Sequence, residues 1–247
     1  MSSKFTAISS SHSSRIIDRA GKTDPQFKTQ IINEFNTPPV IINYFGHGAE
    51  NEWGDNTNYF ETTDVQALSN SRLPMLAAFN CWNGKFFNPD SAETSLGESA
   101  ILNPNGGAIA FFGATDQTSP SAQKIFAQAF YTELSRALNT NNENYRVGTL
   151  MYAGKVALGD SAHTRDVLNS YVLLGDPTLK IPKSAFNPSA FALVDGGAAV
   201  GGNKVGGGCS AIASDGEFKR NWIDGIFEIL FLLALYWSSR MLFRFKK

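Results

Sequence analysis

Cysteine is nearly absent from this chain of 247 residues: only Cys81 and Cys209 occur, in segments of very different composition. A disulfide framework needs more than this, so the fold does not rest on bridges. Neither a zinc-type Cys/His spacing nor a glycine-rich phosphate loop is present, and no metal or cofactor is expected. The formal net charge of -1 offers no electrostatic attraction to nucleic acid, which is not expected as a partner. Residues 1–14 are rich in serine and lack the uninterrupted apolar stretch of a secretory signal. Charge is sparse, at 17% of residues, whereas phenylalanine occurs 19 times. That balance favours a packed body over disorder. The length allows one sizeable core with a tail.

Two stretches stand out against this background. Val40-Ile41-Ile42-Asn43-Tyr44-Phe45 runs into Gly46-His47-Gly48, and Met75-Leu76-Ala77-Ala78-Phe79 runs into Asn80-Cys81-Trp82-Asn83-Gly84. Each is a short apolar run ending at a reactive residue flanked by glycine or asparagine. Runs of this kind suit strands buried on both faces of a parallel sheet. The carboxyl ends of such strands line the ligand-binding crevice of open α/β sheets. Roughly thirty residues separate the two ends, enough for one right-handed crossover. Neighbouring strands would then bring His47 and Cys81 to one rim.

The remaining chain keeps the same rhythm. Asp24-Pro25 opens a helix with Phe27, Ile31, Ile32 and Phe35 at helical spacing, ended by Asn36-Thr37-Pro38-Pro39. A polar loop follows Gly48 through Tyr59, and Thr62 or Thr63 caps a short helix to Leu68. Ser95 to Leu102 reads as a helix and Ala108 to Gly113 as a third buried strand, with a rim loop from Ala114 to Ser119. Ser121 to Leu138 is amphipathic. Arg146–Leu158 and Thr164–Leu174 read as two further helices, and Gly175 to Pro182 as a turn with a short closing strand. From Lys183 to Gly208 the Ala/Gly-rich composition reads as a flexible linker. An apolar segment from Trp222 to about Phe243, with Asp224 and Glu228 near its start, has the length of a bilayer-spanning helix, and basic residues close the chain.

A thiol reacts as its thiolate, and a free cysteine with a pKa of about 8.5 is mostly protonated at neutral pH. An adjacent imidazole can take that proton and return it to a leaving amine. Acyl transfer also needs donors at the developing oxyanion, and the N–H groups of Gly48 and Cys81 suit that role. Glu50, Trp82, Asp116 and Gln117 follow strand ends at the same rim and are candidates to contact substrate. Asp176 in Gly-Asp-Pro-Thr is a turn former, and His163 is a surface residue.

Four motifs in order sharpen this reading: Tyr44-Phe45-Gly46-His47-Gly48-Ala49-Glu50 with Trp53, Phe79-Asn80-Cys81, Asn103-Pro104-Asn105-Gly106-Gly107-Ala108-Ile109-Ala110, and Leu174-Gly175-Asp176-Pro177-Thr178-Leu179. Together they resemble the gingipain family of cysteine endopeptidases, of the clan with the caspase-like fold. The resemblance implies His47 as general base and acid, Cys81 as nucleophile, Gly48 with Cys81 as oxyanion donors, and a protein or peptide as substrate. It implies an α/β fold, a caspase-like open and mostly parallel sheet flanked by helices. Members place at least two more parallel strands before the histidine strand, for which this chain has almost no room. The sheet is therefore expected to lack its N-terminal strands and to leave an unpaired edge. An upstream acid assists the histidine in the family; Asp18, Asp24 and Glu34 precede His47 here, and none stands in a matching motif.

The expected organisation is a flexible segment (1–24), a partial peptidase domain (25–182), a linker (183–208) and a sorting signal (209–247) containing a transmembrane helix at about 222–243. The glycine run with Cys209, the membrane segment and the basic end resemble the tripartite C-terminal sorting signals of bacterial surface proteins. This implies Cys209 as a processing or lipidation site, envelope sorting machinery as a partner, and a membrane-anchored cell-envelope protein with its catalytic body outside the cytoplasm. Two classes of function follow: a cysteine endopeptidase (or a transpeptidase of the same family), and a non-catalytic, envelope-anchored interaction module that keeps the motifs.

Overall fold

The computed structural model describes residues 13–54, 57, 59–87, 94–139, 146–186 and 189–196. Eight strands and six α-helices occur among them: β1 (Ser13–Asp18), α1 (Asp24–Asn36), β2 (Ile41–Phe45), β3 (Glu52–Trp53), β4 (Phe60–Glu61), α2 (Thr62–Gln66), β5 (Met75–Phe79), α3 (Leu96–Leu102), β6 (Ala110–Ala114), α4 (Pro120–Asn139), α5 (Val147–Leu158), α6 (Arg165–Ser170), β7 (Tyr171–Gly175) and β8 (Ser189–Asp195). The main sheet has the order β1-β8-β2-β5-β6-β7, and β3 and β4 form a separate hairpin. All pairs in the main sheet are parallel except β6 with β7.

Alternation along the central strands sorts side chains into two cores. Phe45, Ala77, Phe79 and Phe112 face α4 and α5, where Phe126, Phe130, Leu134, Val147 and Leu150 meet them. Ile42, Tyr44, Leu76, Ala78 and Phe111 face the other way, onto Phe27, Ile31 and Phe35 of α1, Val65 of α2 and Leu96 of α3. Strands with apolar residues on both faces need helices on both faces, which gives a three-layer α/β/α body. Phe79 sits at its centre, with the rings of Phe45, Phe112, Phe130 and Tyr171 at 4.7, 6.1, 6.0 and 6.4 Å. Burying a side chain of this size stabilises by roughly 1.5–3 kcal/mol, and Phe79 is the last paired residue before Asn80-Cys81.

Several expectations are corrected. The histidine strand is not an edge: β8 pairs with it in parallel, and β1 lies beyond β8. The sheet thus reaches outside 25–182 on both sides, recruiting β1 from the segment expected to be flexible and β8 from the expected linker. Residues 171–174 are strand, not helix, because Tyr171 to Leu174 pair with Ala114 to Phe111. Within the polar loop after Gly48 lies β3, which pairs as a hairpin with β4 just beyond the loop. Helix α2 is capped by Glu61, whose N–H is bonded by Asp64 at 2.9 Å, rather than by Thr62 or Thr63. The apolar segment 222–243 and Cys209 lie outside the described residues; among those described, no helix is long and apolar enough to cross a membrane.

Candidate active site

His47 and Cys81 stand at corresponding places on neighbouring strands. Phe45 pairs with Phe79 in parallel register, and each of the two residues follows its partner by two positions. Beyond Phe45 the chain turns sharply, and the His47 carbonyl is held by two donors. The Tyr44 hydroxyl folds back over Gly46 to donate to the His47 carbonyl at 2.7 Å, and the Gly54 N–H donates to the same oxygen at 2.8 Å. Tyr44 in turn stacks on the buried Trp53, with ring centroids 4.3 Å apart. Burial holds the Tyr44 phenol well above its ordinary pKa, so it remains a donor. Gly46 is required here because a Cβ would come within 2.7 Å of the Tyr44 ring. Gly48 bridges to Trp53, but the two bonds of that bridge run from Ala49 and Gly54 and leave the Gly48 N–H out of the pairing.

Cys81 is fully buried and lies in a polar nest. The Thr118 N–H points at its sulfur from 3.2 Å, with the Thr118 hydroxyl 3.7 Å away. Just before it, the Asn80 carbonyl accepts from the Thr118 hydroxyl at 3.3 Å, the Gln123 amide at 3.3 Å and the Tyr171 hydroxyl at 3.4 Å. Just after it, Trp82 has a positive φ of 68°, alone in this among the described non-glycine residues, and Asn83 N–H reaches back to the Cys81 carbonyl at 2.8 Å. This is a γ-turn of the strained kind, which turns the chain away immediately after the sulfur. The chain's other cysteine, Cys209, is outside the described residues.

Asn83 ties the two loops together. Its amide donates to the Ala49 carbonyl and, at 3.0 Å, to the Glu52 carbonyl, while its own carbonyl accepts from Gly97 at 2.8 Å. A pocket of about 330 Å³ opens beside this junction, lined by Ala49, Glu50, Asn51, Trp82 and Thr94. Two of the four candidate substrate residues, Glu50 and Trp82, therefore share one cavity. Lys85 joins them, ion-paired to Glu50 and lying 5.0 Å from the Trp82 ring centroid. Asp116 and Gln117 are exposed and lie outside that lining, although the Asp116 carbonyl accepts the Trp82 N–H at 3.3 Å. Among the described residues no group of His, Cys, Asp and Glu is placed to hold a metal ion. Of the upstream acids, Glu34 is held by Arg15 at 2.8 Å and Asp24 pairs with Arg19.

The family model for peptidase family C25 matches residues 3–182. The chain belongs to this family. Gingipain R2 of Porphyromonas gingivalis is 31% identical to the C25 chain over 157 residues, 61% of it but 21% of that relative. Gingipain R1 of the same species is likewise 31% identical over 157 residues, 15% of its own length. Among solved structures, the crystal structure of the Arg-specific cysteine proteinase gingipain R is similar at a TM-score of 0.53 and 26% identity, over 65% of this chain and 37% of that one. The complex of the Porphyromonas gingivalis RgpB pro- and mature domains gives 0.54 and 25%, with the same coverage. The C25 chain thus spans about a fifth or less of these relatives and just over a third of the solved chains, and its mixed, mostly parallel sheet matches their caspase-like α/β fold.

Within this C25 chain, several residues that support the site were not singled out from sequence. Thr118 and Gln123, from the rim loop and the helix that follows it, and Tyr171 of β7 are buried and converge on Asn80 and Cys81. Of the rim trio Asp116-Gln117-Thr118, the two polar residues that drew attention are exposed, and the third faces the sulfur. Tyr44 and Asn83 lay inside the motifs already noted, but only tertiary contacts reveal what their polar atoms hold.

Proposed function

We propose that this chain carries the Cys–His centre of a cysteine endopeptidase, with Cys81 as nucleophile and His47 as general base and acid. The observation that supports the reading is the parallel register of β2 and β5, whose last pair, Phe45 with Phe79, stands two residues before His47 and Cys81. In the reduced protein, His47 takes the thiol proton and the Cys81 sulfur attacks the scissile carbonyl carbon. The N–H groups of Gly48 and Cys81 bind the resulting oxyanion, and their preorganisation is the main source of acceleration. The tetrahedral adduct collapses with loss of the amine, which receives its proton from His47, leaving an acyl group on sulfur. Water, deprotonated by His47, then attacks the acyl carbon; the acid is released and the proton returns to the Cys81 thiolate. An amine in place of that water gives the transpeptidase variant. The Thr118 N–H points at the Cys81 sulfur from 3.2 Å. Glu50 and Trp82 line the substrate pocket, with Asp116 and Gln117 at its approach.

The substrate is a protein or peptide, and the working location is outside the cytoplasm, as part of a cell-envelope protein. Anchoring through the apolar segment 222–243, processing or lipidation at Cys209, and recognition by sorting machinery belong to the same proposal and rest on sequence alone. One observation favours the second reading, a non-catalytic interaction module: the Cys81 side chain is fully buried. Reduction followed by iodoacetamide labelling and peptide hydrolysis separates the two. The peptidase reading expects labelling of Cys81 ahead of Cys209, and a loss of kcat/KM of at least about a hundredfold in both Cys81→Ala and His47→Ala. Equal, slow labelling of both thiols, with no hydrolysis by the reduced protein, would leave only the interaction module.

A further inference from the structure

Strands β1 and β2 are joined by α1, yet they do not touch: one strand position lies between them, and β8 fills it. The consecutive elements of this unit leave a gap flanked by two parallel edges, whose backbone donors and acceptors need a partner. That partner arrives from elsewhere. The preceding strand, β7, sits at the opposite edge of the sheet, four strand spacings away, roughly 19 Å. Residues 176–188 cover that span with length to spare, since extended chain reaches ~3.3 Å per residue. The filling strand β8 lies outside the stretch that matches the C25 family, which ends at residue 182.

The occupant is suited to a buried slot. Ala192 and Val194 are fully buried in the core that holds Tyr44 and Ile17, and Leu193 packs against the opposite core. Its register is matched on both sides: Ile16 with Leu193 and Ile17 with Val194 on one, Asn43 with Leu193 and Tyr44 with Val194 on the other. The strand then ends against the histidine turn. Gly196 N–H donates to the Phe45 carbonyl at 2.9 Å, and a Cβ on Gly196 would lie 3.1 Å from the Tyr44 ring, whose hydroxyl holds the His47 carbonyl. The Asn43 amide reaches the Ala192 carbonyl at 3.3 Å, and Arg19 N–H reaches that of Asp195 at 3.1 Å.

We propose that the gap between β1 and β2 is a strand-acceptor site for an extended apolar segment, filled here by the chain's own Ser189–Asp195, and that its occupancy sets the position of the histidine turn. The tail is then a sheet-completing element of the C25 body, held by a tether long enough to release it. For its catalytic consequence this rests on the peptidase reading; for its structural one it does not.

Hydrogen exchange on the reduced full-length chain tests it. Proline at position 192 (Ala192→Pro) removes a backbone donor and cannot sit in a central strand. Exchange at Ile42 to Phe45 of β2 should then accelerate by at least ~tenfold while Phe111 to Gly113 of β6 stay protected, and Cys81 alkylation should slow. A synthetic peptide spanning residues 189–196, added in excess, should restore protection on β2 and the alkylation rate. Unchanged exchange on β2 in the variant would overturn the proposal. So would a general loss of protection, β6 included, that the peptide does not reverse, since β8 would then be inseparable from the core. Exchange is read without turnover, so these outcomes are independent of whether Cys81 hydrolyses peptides.

Discussion

Replacing Gly48 by alanine would bring a methyl group within 2.9 Å of the Cys81 carbonyl oxygen and against the buried amide of Asn80. Asn80 is fixed by Asn83, so the neighbour cannot swing away. Overpacking of this sort costs about 1–3 kcal/mol. It also displaces the N–H assigned to the oxyanion, so Gly48→Ala is expected to lower kcat far more than it raises KM, with urea denaturation confirming a folded protein. Tyr44→Phe is a gentler probe at the same turn. It removes one of two donors to the His47 carbonyl, a net loss of about 1 kcal/mol, and the Gly54 donor remains. Because the phenol stays protonated, the variant should lower kcat without shifting the pH–rate profile; a shifted profile would mean that Tyr44 acts on the titration of His47 itself.

Among the elements, α3 does more than its length suggests. Its first turn donates from Leu96 to the Glu50 carbonyl and from Gly97 to the Asn83 carbonyl, both at 2.8 Å, and so pins the loops that follow both strands. The turn is itself held by a capping box, in which the Ser95 hydroxyl accepts from Glu98 N–H at 3.2 Å and the Glu98 carboxylate accepts from Ser95 N–H at 2.9 Å. Ser95→Ala is expected to cost about 1 kcal/mol, measurable by urea denaturation. Because it loosens the pocket rather than the sulfur, it should raise KM more than it lowers kcat. The helix boundary was legible in the sequence, since Ser-x-x-Glu before an apolar run is a local signal. The short strand β7 was not: Tyr171 to Leu174 carry no alternation of their own and become strand because β6 offers an edge.

For the whole molecule, buried phenols set the alkaline limit. Burial raises the pKa of Tyr44, Tyr131 and Tyr171 above the ordinary value. An unfolded tyrosine ionises near pH 10, whereas these three stay protonated in the fold. The folded state then binds more protons than the unfolded one, so stability falls as pH rises above about 10. Urea midpoints measured from pH 8 to 11 should drop over that range, and Tyr171→Phe should make the drop shallower.

The sequence by itself determined the local half of this protein. Apolar runs stopping at Gly46-His47-Gly48 and Asn80-Cys81 declared two buried strands and their reactive ends, because chain burial and turn chemistry act between near neighbours. Four ordered motifs also pointed to the family. What only the tertiary structure decided are the contacts that join distant segments. Thr118, Gln123 and Tyr171 meet at Asn80, and β8 enters the sheet beside β2, far from it in sequence. Composition made residues 183–208 resemble a linker, since its many glycines and alanines are depleted in strands. A slot with two open parallel edges turned part of that stretch into a central strand, because pairing backbone groups on both sides outweighs a weak local preference.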